Sequence, residues 1–197
     1  QSGFDMREYD VIVIGGGSAG LAAALEINKH RKSKILVLER DAELGGILQQ
    51  CIHNGFGLKV FKEELTGPEY AERFINELNE SGIEYKLSSM VTRMHPDKRV
   101  EYASAEEGFV TIKAKAIVLT MGCYERSAGA ISLPGKRPSG IMTAGAAQKY
   151  LNIDGYLVGK NVFILGSGDI GLIMARRMKL EGANVIGVAE ILPFSGG

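Results

Sequence analysis

The sequence predicts an α/β fold: tandem three-layer domains on parallel sheets, the first with an added β-meander and the second truncated. Three observations predict it. A strand–turn–helix–strand unit occurs twice without a gap, at a shift of 151 residues from Val11 to Val162. Apolar runs of strand length alternate with stretches of helical spacing, as βαβ units require. Three short alternating runs, separated by turn residues, precede the last strand of the first unit.

The repeat comes first. Val11-Ile-Val-Ile-Gly-Gly-Gly-Ser-Ala-Gly20 aligns with Val162-Phe-Ile-Leu-Gly-Ser-Gly-Asp-Ile-Gly171, and Ile35-Leu-Val-Leu-Glu39 aligns with Ile186-Gly-Val-Ala-Glu190. With 26 glycines in 197 residues, a lone Gly-x-Gly-x-x-Gly arises by chance roughly 0.4 times, so one match carries little. The whole unit twice, with a Glu 24 residues past the first Gly in both copies, is far more specific.

The chemistry of such a unit is that of a dinucleotide. Gly15 permits the tight turn out of the strand, Gly17 lets backbone approach a pyrophosphate, and Gly20 lets helix pack closely on strand. The following helix, about Ser18 to His30, offers free N–H groups and a partial positive charge to that pyrophosphate. Glu39 at the next strand's end can accept ribose hydroxyls. In the second copy Gly166, Gly168 and Gly171 take the same places, and Glu190 the ribose role. A Glu there repels a 2′-phosphate, which favours NAD over NADP. Asp169, at the start of the second helix, is expected as its N-cap.

After Glu39 the Gly45-Gly46 pair lets a second backbone segment come close to a large ligand. Pro68 to Asn79 has helical spacing, with Pro near its first turn and Gly82 just past its end, and Ile83 to Leu87 reads as the third parallel strand. Val91 to Met94, Arg99 to Tyr102 and Phe109 to Lys113 form the expected meander. Ala116 to Gly122 follows as a buried strand ending in Gly. A meander in this position points away from simple dehydrogenases.

Composition narrows the class. Lys+Arg and Asp+Glu number 23 each, so no global field favours nucleic acid or an acidic membrane. No stretch approaches the roughly 18 apolar residues of a membrane helix. Cys51 and Cys123 are the two cysteines, too few for a disulfide framework and in keeping with a reducing cytoplasm. His30, His53 and His95 are scattered among unrelated elements, so no metal site is expected. Gln1 to Asp5 read like a protease-cleavage scar ahead of Met6, and the chain is expected to be part of a longer one.

These motifs carry a resemblance. The chain is similar to the FAD/NAD-linked pyridine nucleotide-disulfide oxidoreductase superfamily, from Glu8 to Gly197. The run from Gly45 to Gly57 resembles the branch near sarcosine oxidase alpha subunits, amine and opine oxidases, and proteins associated with anaerobic glycerol-3-phosphate dehydrogenase. Thr120-Met121-Gly122 stands where the superfamily usually has Ala-Thr-Gly. The resemblance implies tandem Rossmann-like FAD/NAD(P)-binding domains: residues 1–6 as scar and start, 7–125 as an FAD domain lacking its re-entrant C-terminal part, 126–158 as crossover, 159–197 as the start of an NAD domain. It implies that Gly15, Gly17, Ser18, Ala19 and Gly20 cradle the FAD pyrophosphate, with Glu39 on the ribose and Arg40 beside the adenine. Gly45, Gly46, Ile47 and Leu48 would line the flavin side, Val91 would meet the adenine through its backbone, and Thr120 to Gly122 would close over the cofactor. In the second domain Gly166, Gly168, Asp169, Ile170, Gly171 and Glu190 would face NAD.

The reactive side chains do not support disulfide chemistry. Ile47 to Gln50 hold no redox cysteine pair after Gly45-Gly46, and Thr143 to Gln148 hold no Cys-x-x-Cys before the second turn. Cys51 and His53 could form a thiol–imidazole pair if the segment were a strand, but packing beside the flavin is the preferred reading. No residue stands out as a catalytic acid or base. The sequence therefore predicts an FAD-dependent oxidoreductase exchanging hydride between NAD(H) and a small-molecule substrate through the flavin, with the chain by itself expected to be inactive. Two alternatives stay open: an electron-relay subunit of an amine or glycerol-3-phosphate-type dehydrogenase, beside a partner subunit, and a non-catalytic nucleotide-binding module.

Overall fold

The computed structural model describes residues 6–197; residues 1–5, read from sequence as a cleavage scar, lie outside the described residues. The chain divides into two compact units. One comprises residues up to Gln49 with Asn54–Gly122, the other Gln50–His53 with Cys123–Gly197.

In the first unit β1 (Glu8–Ile14), α1 (Ser18–His30) and β2 (Ile35–Leu38) form the first strand–helix–strand. A single 3-10 turn spans Gly46–Gln50, and a short antiparallel pair, β3 (Asn54–Phe56) with β4 (Leu65–Thr66), leads into α2 (Gly67–Ser81). The Thr66 side chain accepts the Glu69 N–H while the Glu69 carboxylate takes the Thr66 N–H at 2.8 Å, a reciprocal cap that satisfies two otherwise orphaned donors. Gly82, in the left-handed region at φ 71°, ends the helix.

Then come β5 (Glu84–Lys86), β6 (Ser89–Met94), β7 (Arg99–Ser104) and β8 (Gly108–Leu119). All but β3 and β4 join one mixed sheet in the order β5-β2-β1-β8-β7-β6. β1, β2 and β5 are parallel neighbours, and β6–β7–β8 form the antiparallel meander.

Here the structure corrects the expectation of a separate buried strand at Ala116 to Gly122. β8 is one 12-residue strand. From Gly108 to Lys113 it pairs antiparallel with β7, and from Lys113 to Leu119 parallel with β1. The meander is therefore continuous with the parallel sheet. Nor is its second half buried: Ala116 is exposed and Leu119 is 52% exposed.

The layers follow from period-2 alternation. Ile12 and Ile14 of β1 and Leu36 and Leu38 of β2 face Val100, Tyr102 and Ile112 of the meander. Val13, Ile35 and Val37 face Leu21, Ala24 and Leu25 of α1 and Leu78 of α2. Strands apolar on both faces are what a sheet buried between two layers demands.

The second unit contains α3 (Ala144–Asn152), β9 (Asn161–Leu165), α4 (Asp169–Leu180) and β10 (Asn184–Ala189). β9 and β10 pair in parallel, and Ala147, Leu151, Met174, Met178 and Ala183 form its core. Residues 126–158, read from sequence as a crossover, thus include a helix whose side chains belong to that core. α3 is capped by the Thr143 side chain, which accepts the Ala146 N–H at 3.3 Å. The Glu125 carboxylate accepts the Gly145 N–H at 2.7 Å.

Candidate functional site: two glycine-rich turns, each tied to a glutamate

The first turn is built by the exit from β1. Gly15, at φ +104°, donates its N–H to Leu38 O at 2.8 Å, which locks the turn to the end of β2. A Cβ on Gly20 would lie 1.8 Å from Gly15 O, so α1 packs against its own turn at a distance no side chain permits. Gly17 is different. It precedes α1 in extended conformation, and a Cβ there would meet nothing nearer than Gly46 Cα at 3.9 Å. The protein has no steric need for glycine at 17, and the space above it is left open. No side chain among the described residues caps α1 there, and its first turn carries no acid. Ser18 and Ala19 are exposed. The unsatisfied N–H groups and the positive end of the helix dipole suit an anion.

Glu39 closes the site on one side. It is 5% exposed, and its Oε2 accepts the Gly16 N–H at 2.6 Å while Oε1 accepts the Asp41 N–H at 2.8 Å. Arg40 beside it is exposed, with its Nε 3.9 Å from the Asp41 carboxylate. Gly45 donates its N–H to Gly16 O at 2.9 Å and bridges to Gly17, and a Cβ on Gly46 would come within 3.1 Å of Gly17 Cα. The pair therefore lies directly on the turn. Ile47 is 64% exposed, whereas Leu48 is buried at 6%. The Thr120 hydroxyl lies 2.9 Å from Ile14 O and 3.0 Å from Gly15 O, and a Cβ on Gly15 would be 2.4 Å from Thr120 O. Gly122, at φ +70°, follows in an exposed loop. Val91 lies two residues past Ser89, whose N–H donates to Glu39 O at 2.8 Å. Every residue expected at the first site is thus on the turn itself or on a segment bonded to it.

The second unit repeats the central features of this turn. Gly166 also has φ +104° and donates to Ala189 O at 2.7 Å. A Cβ on Gly171 would lie 2.4 Å from Gly166 O, and one on Gly168 would meet nothing within 4 Å. Glu190 Oε2 accepts the Ser167 N–H at 2.8 Å, as Glu39 does from Gly16. Asp169 is not the N-cap. Gly168 enters α4 in extended conformation and its carbonyl accepts the Leu172 N–H at 3.1 Å, so Gly168 is the cap and Asp169 the first helical residue. Its carboxylate still lies at the positive end of the helix. Ile170 follows, 40% exposed.

The Glu190 carboxyl is held down to about 2 by the Ser167 hydroxyl and the Ser167 and Leu192 N–H groups. Cys51 lies in neither helix nor strand and is buried, which pushes its thiol pKa up, away from nucleophilic chemistry. His53 is also outside regular structure. Among the described residues, no group of three or more His, Cys, Asp and Glu is gathered to hold a metal, and no helix is long and apolar enough to cross a membrane.

Known proteins are similar to this chain in sequence and fold. The model of the pyridine nucleotide-disulphide oxidoreductase family matches residues 9–192. Among curated relatives, the HcnB subunit of hydrogen cyanide synthase from Pseudomonas protegens is 26% identical over 91% of this chain and 38% of its own length. An opine oxidase subunit from Agrobacterium tumefaciens is 28% identical over 95% of this chain and 38% of its own. The chain therefore spans well under half the length of either. The crystal structure of L-proline dehydrogenase from P. horikoshii aligns over 98% of this chain and 38% of that one, with a TM-score of 0.71 at 20% identity, a likeness of fold. The opine oxidase match agrees with the branch to which the Gly45–Gly57 run pointed. The chain belongs to the pyridine nucleotide-disulphide oxidoreductase family, whose members are typically FAD-binding oxidoreductases.

Proposed function

We propose that this chain is the nucleotide-binding part of an FAD-dependent oxidoreductase in which the first turn holds FAD and the second holds NAD(H). The observation that carries the reading is the recurrence, at a shift of 151, of one local design. A buried or half-buried glutamate accepts the amide of the turn's second residue, beside an open glycine at a helix N-terminus. FAD supplies the hydride and electron chemistry, and this chain's residues supply position and field. Gly17, Ser18 and Ala19 offer N–H groups to the pyrophosphate. Glu39 accepts ribose hydroxyls with the lone pairs its two backbone donors leave. Thr120 holds the turn rigid through Ile14 and Gly15. Glu190, kept anionic, accepts the ribose of NAD and repels a 2′-phosphate.

Disulfide reduction is not part of this reading. Cys51 is buried with a raised thiol pKa, and Cys123 has no cysteine near it in sequence. A second reading has support of its own. Two of the relatives are named as subunits, so the chain would then relay electrons for a partner that holds the substrate site. The test is the flavin content of the intact protein, alone and with co-encoded partners. One FAD per chain that Glu39→Ala lowers supports the first-turn assignment. A colourless preparation overturns it, and turnover seen only with a partner selects the relay reading.

A further inference from the structure

The two turns differ at one position that touches the carboxylate. Gly16 of the first corresponds to Ser167 of the second. The change is matched across the turn: a Cβ on Gly16 would lie 2.5 Å from Leu44 Cδ2, and Leu44 corresponds to Ser195. The leucine side chain that crowds position 16 is therefore replaced by a serine at the second turn, where Ser167 is buried at 6% exposure. The correspondence extends to Gly45-Gly46 and Gly196-Gly197. Gly45 N–H donates to Gly16 O, whereas Gly196 N–H donates to the Ser167 hydroxyl oxygen at 2.9 Å. That bond leaves the hydroxyl proton directed to Glu190 Oε2, 2.6 Å away.

A carboxylate offers about four lone-pair directions. Glu190 receives four donors: the Ser167 N–H and hydroxyl on Oε2, and the Ile191 and Leu192 N–H groups on Oε1 at 2.8 and 3.2 Å. Glu39 receives the Gly16 and Asp41 N–H groups, one on each oxygen, so each oxygen keeps a lone pair for a ribose hydroxyl.

We propose that Ser167 is an affinity-setting latch on the second site: its hydroxyl occupies the Glu190 lone pair that an adenosine ribose hydroxyl takes on binding. The proposal rests on the reading of the second turn as an NAD(H) site. The ligand must break a bond to a charged acceptor before it forms its own, so the second turn binds adenine dinucleotide more weakly than its glycines and glutamate allow. Ser167 acts through Glu190 and is a positioning residue.

Calorimetric titration of the FAD-loaded intact protein tests this, with NAD+, ADP and 2′,3′-dideoxy-ADP as probes. Ser167→Ala removes the hydroxyl, and Ser167→Gly recreates the first turn. Both variants are expected to bind NAD+ and ADP about tenfold more tightly than wild type, the scale of one hydrogen bond to a charged group. The dideoxy probe should not gain, a selectivity that a general loosening of the turn would not produce. Equal or weaker NAD+ binding by both variants, or an equal gain for the dideoxy probe, overturns the latch while leaving the NAD(H) site standing. Absence of NAD+ binding in wild type and both variants overturns the latch and the site together.

Discussion

Glu39 Oε2 accepts the Gly16 N–H at 2.6 Å, so a buried carboxylate at the end of β2 fastens the turn that leaves β1. The bond gives Glu39 a role in the fold, beside the role toward a ribose that the proposed function assigns to it. Glu39→Ala leaves the Gly16 and Asp41 amides without their acceptor, at a cost of about 2 kcal/mol. Glu39→Gln keeps one acceptor oxygen and should cost less. Urea unfolding followed through the first unit measures both, and FAD titration should rank them in the same order.

On the proposed reading, Gly17 borders ligand space and Gly20 packing space. Gly17→Ala meets nothing closer than 3.9 Å, so stability should fall by about 1 kcal/mol at most, the scale of a cap change. FAD affinity should nevertheless drop by roughly tenfold or more, because the methyl group would enter the space the proposed function gives to the pyrophosphate. Gly20→Ala places a Cβ 1.8 Å from Gly15 O and should cost about 3 kcal/mol or more, since helix and strand must separate. Melting curves with and without FAD distinguish the two patterns.

The end of the meander carries an acid-sensitive link. Burial pushes the Glu107 carboxyl upward, but hydrogen bonds from Lys86, Tyr102 and Arg7 outweigh it and hold the group at about 2. A carboxyl depressed in the folded state contributes stability above its unfolded value near 4.5 and loses it as pH falls toward 2. Glu107→Gln should therefore lower stability at neutral pH and flatten the acid limb in that window. The side chain is partly exposed, so screening keeps the effect modest. Denaturant midpoints measured from pH 7 to pH 2 test it.

The cap of α2 is a purely structural control. Thr66→Ala removes the acceptor for the Glu69 N–H and breaks the reciprocal cap. The expected loss is about 1 kcal/mol with FAD binding per folded molecule unchanged. A change in FAD affinity as large as that of Gly17→Ala would mean that α2 touches the site.

Legibility in the sequence follows from whether a signal is local. α1 begins at Ser18 and ends at His30 as its pattern indicates, because a glycine turn and a basic last turn mark its ends. For α2 the Thr66-x-x-Glu69 box is present in sequence, opening two residues ahead of the expected start, and it fixes the true start at Gly67 rather than Pro68. The sequence pattern divides β8 because it changes from alternating to continuous near Ala114. The chain does not break there; its neighbour changes from β7 to β1, which is a tertiary fact.

At the site, turn and glutamate are legible through the repeat, and the same shift carried seven residues past Glu190 reaches Gly196-Gly197. Asp169 competes with Gly168 for the cap, and only backbone geometry decides between such neighbours. The bonds from Thr120 to Ile14 and Gly15 join residues about a hundred positions apart. No local pattern encodes them.

The proposed function assigns FAD to one turn and NAD(H) to the other, and its central claim is that NADH reduces the flavin. The most direct measurement is the visible absorbance of the intact FAD-loaded protein, recorded anaerobically before and after one equivalent of NADH. The expected result is a flavin spectrum that bleaches on addition, with Glu190→Ala or Gly168→Ala slowing the bleaching while leaving the oxidised spectrum intact. A flavin spectrum that NADH leaves unchanged would contradict the assignment of the second turn to NAD(H).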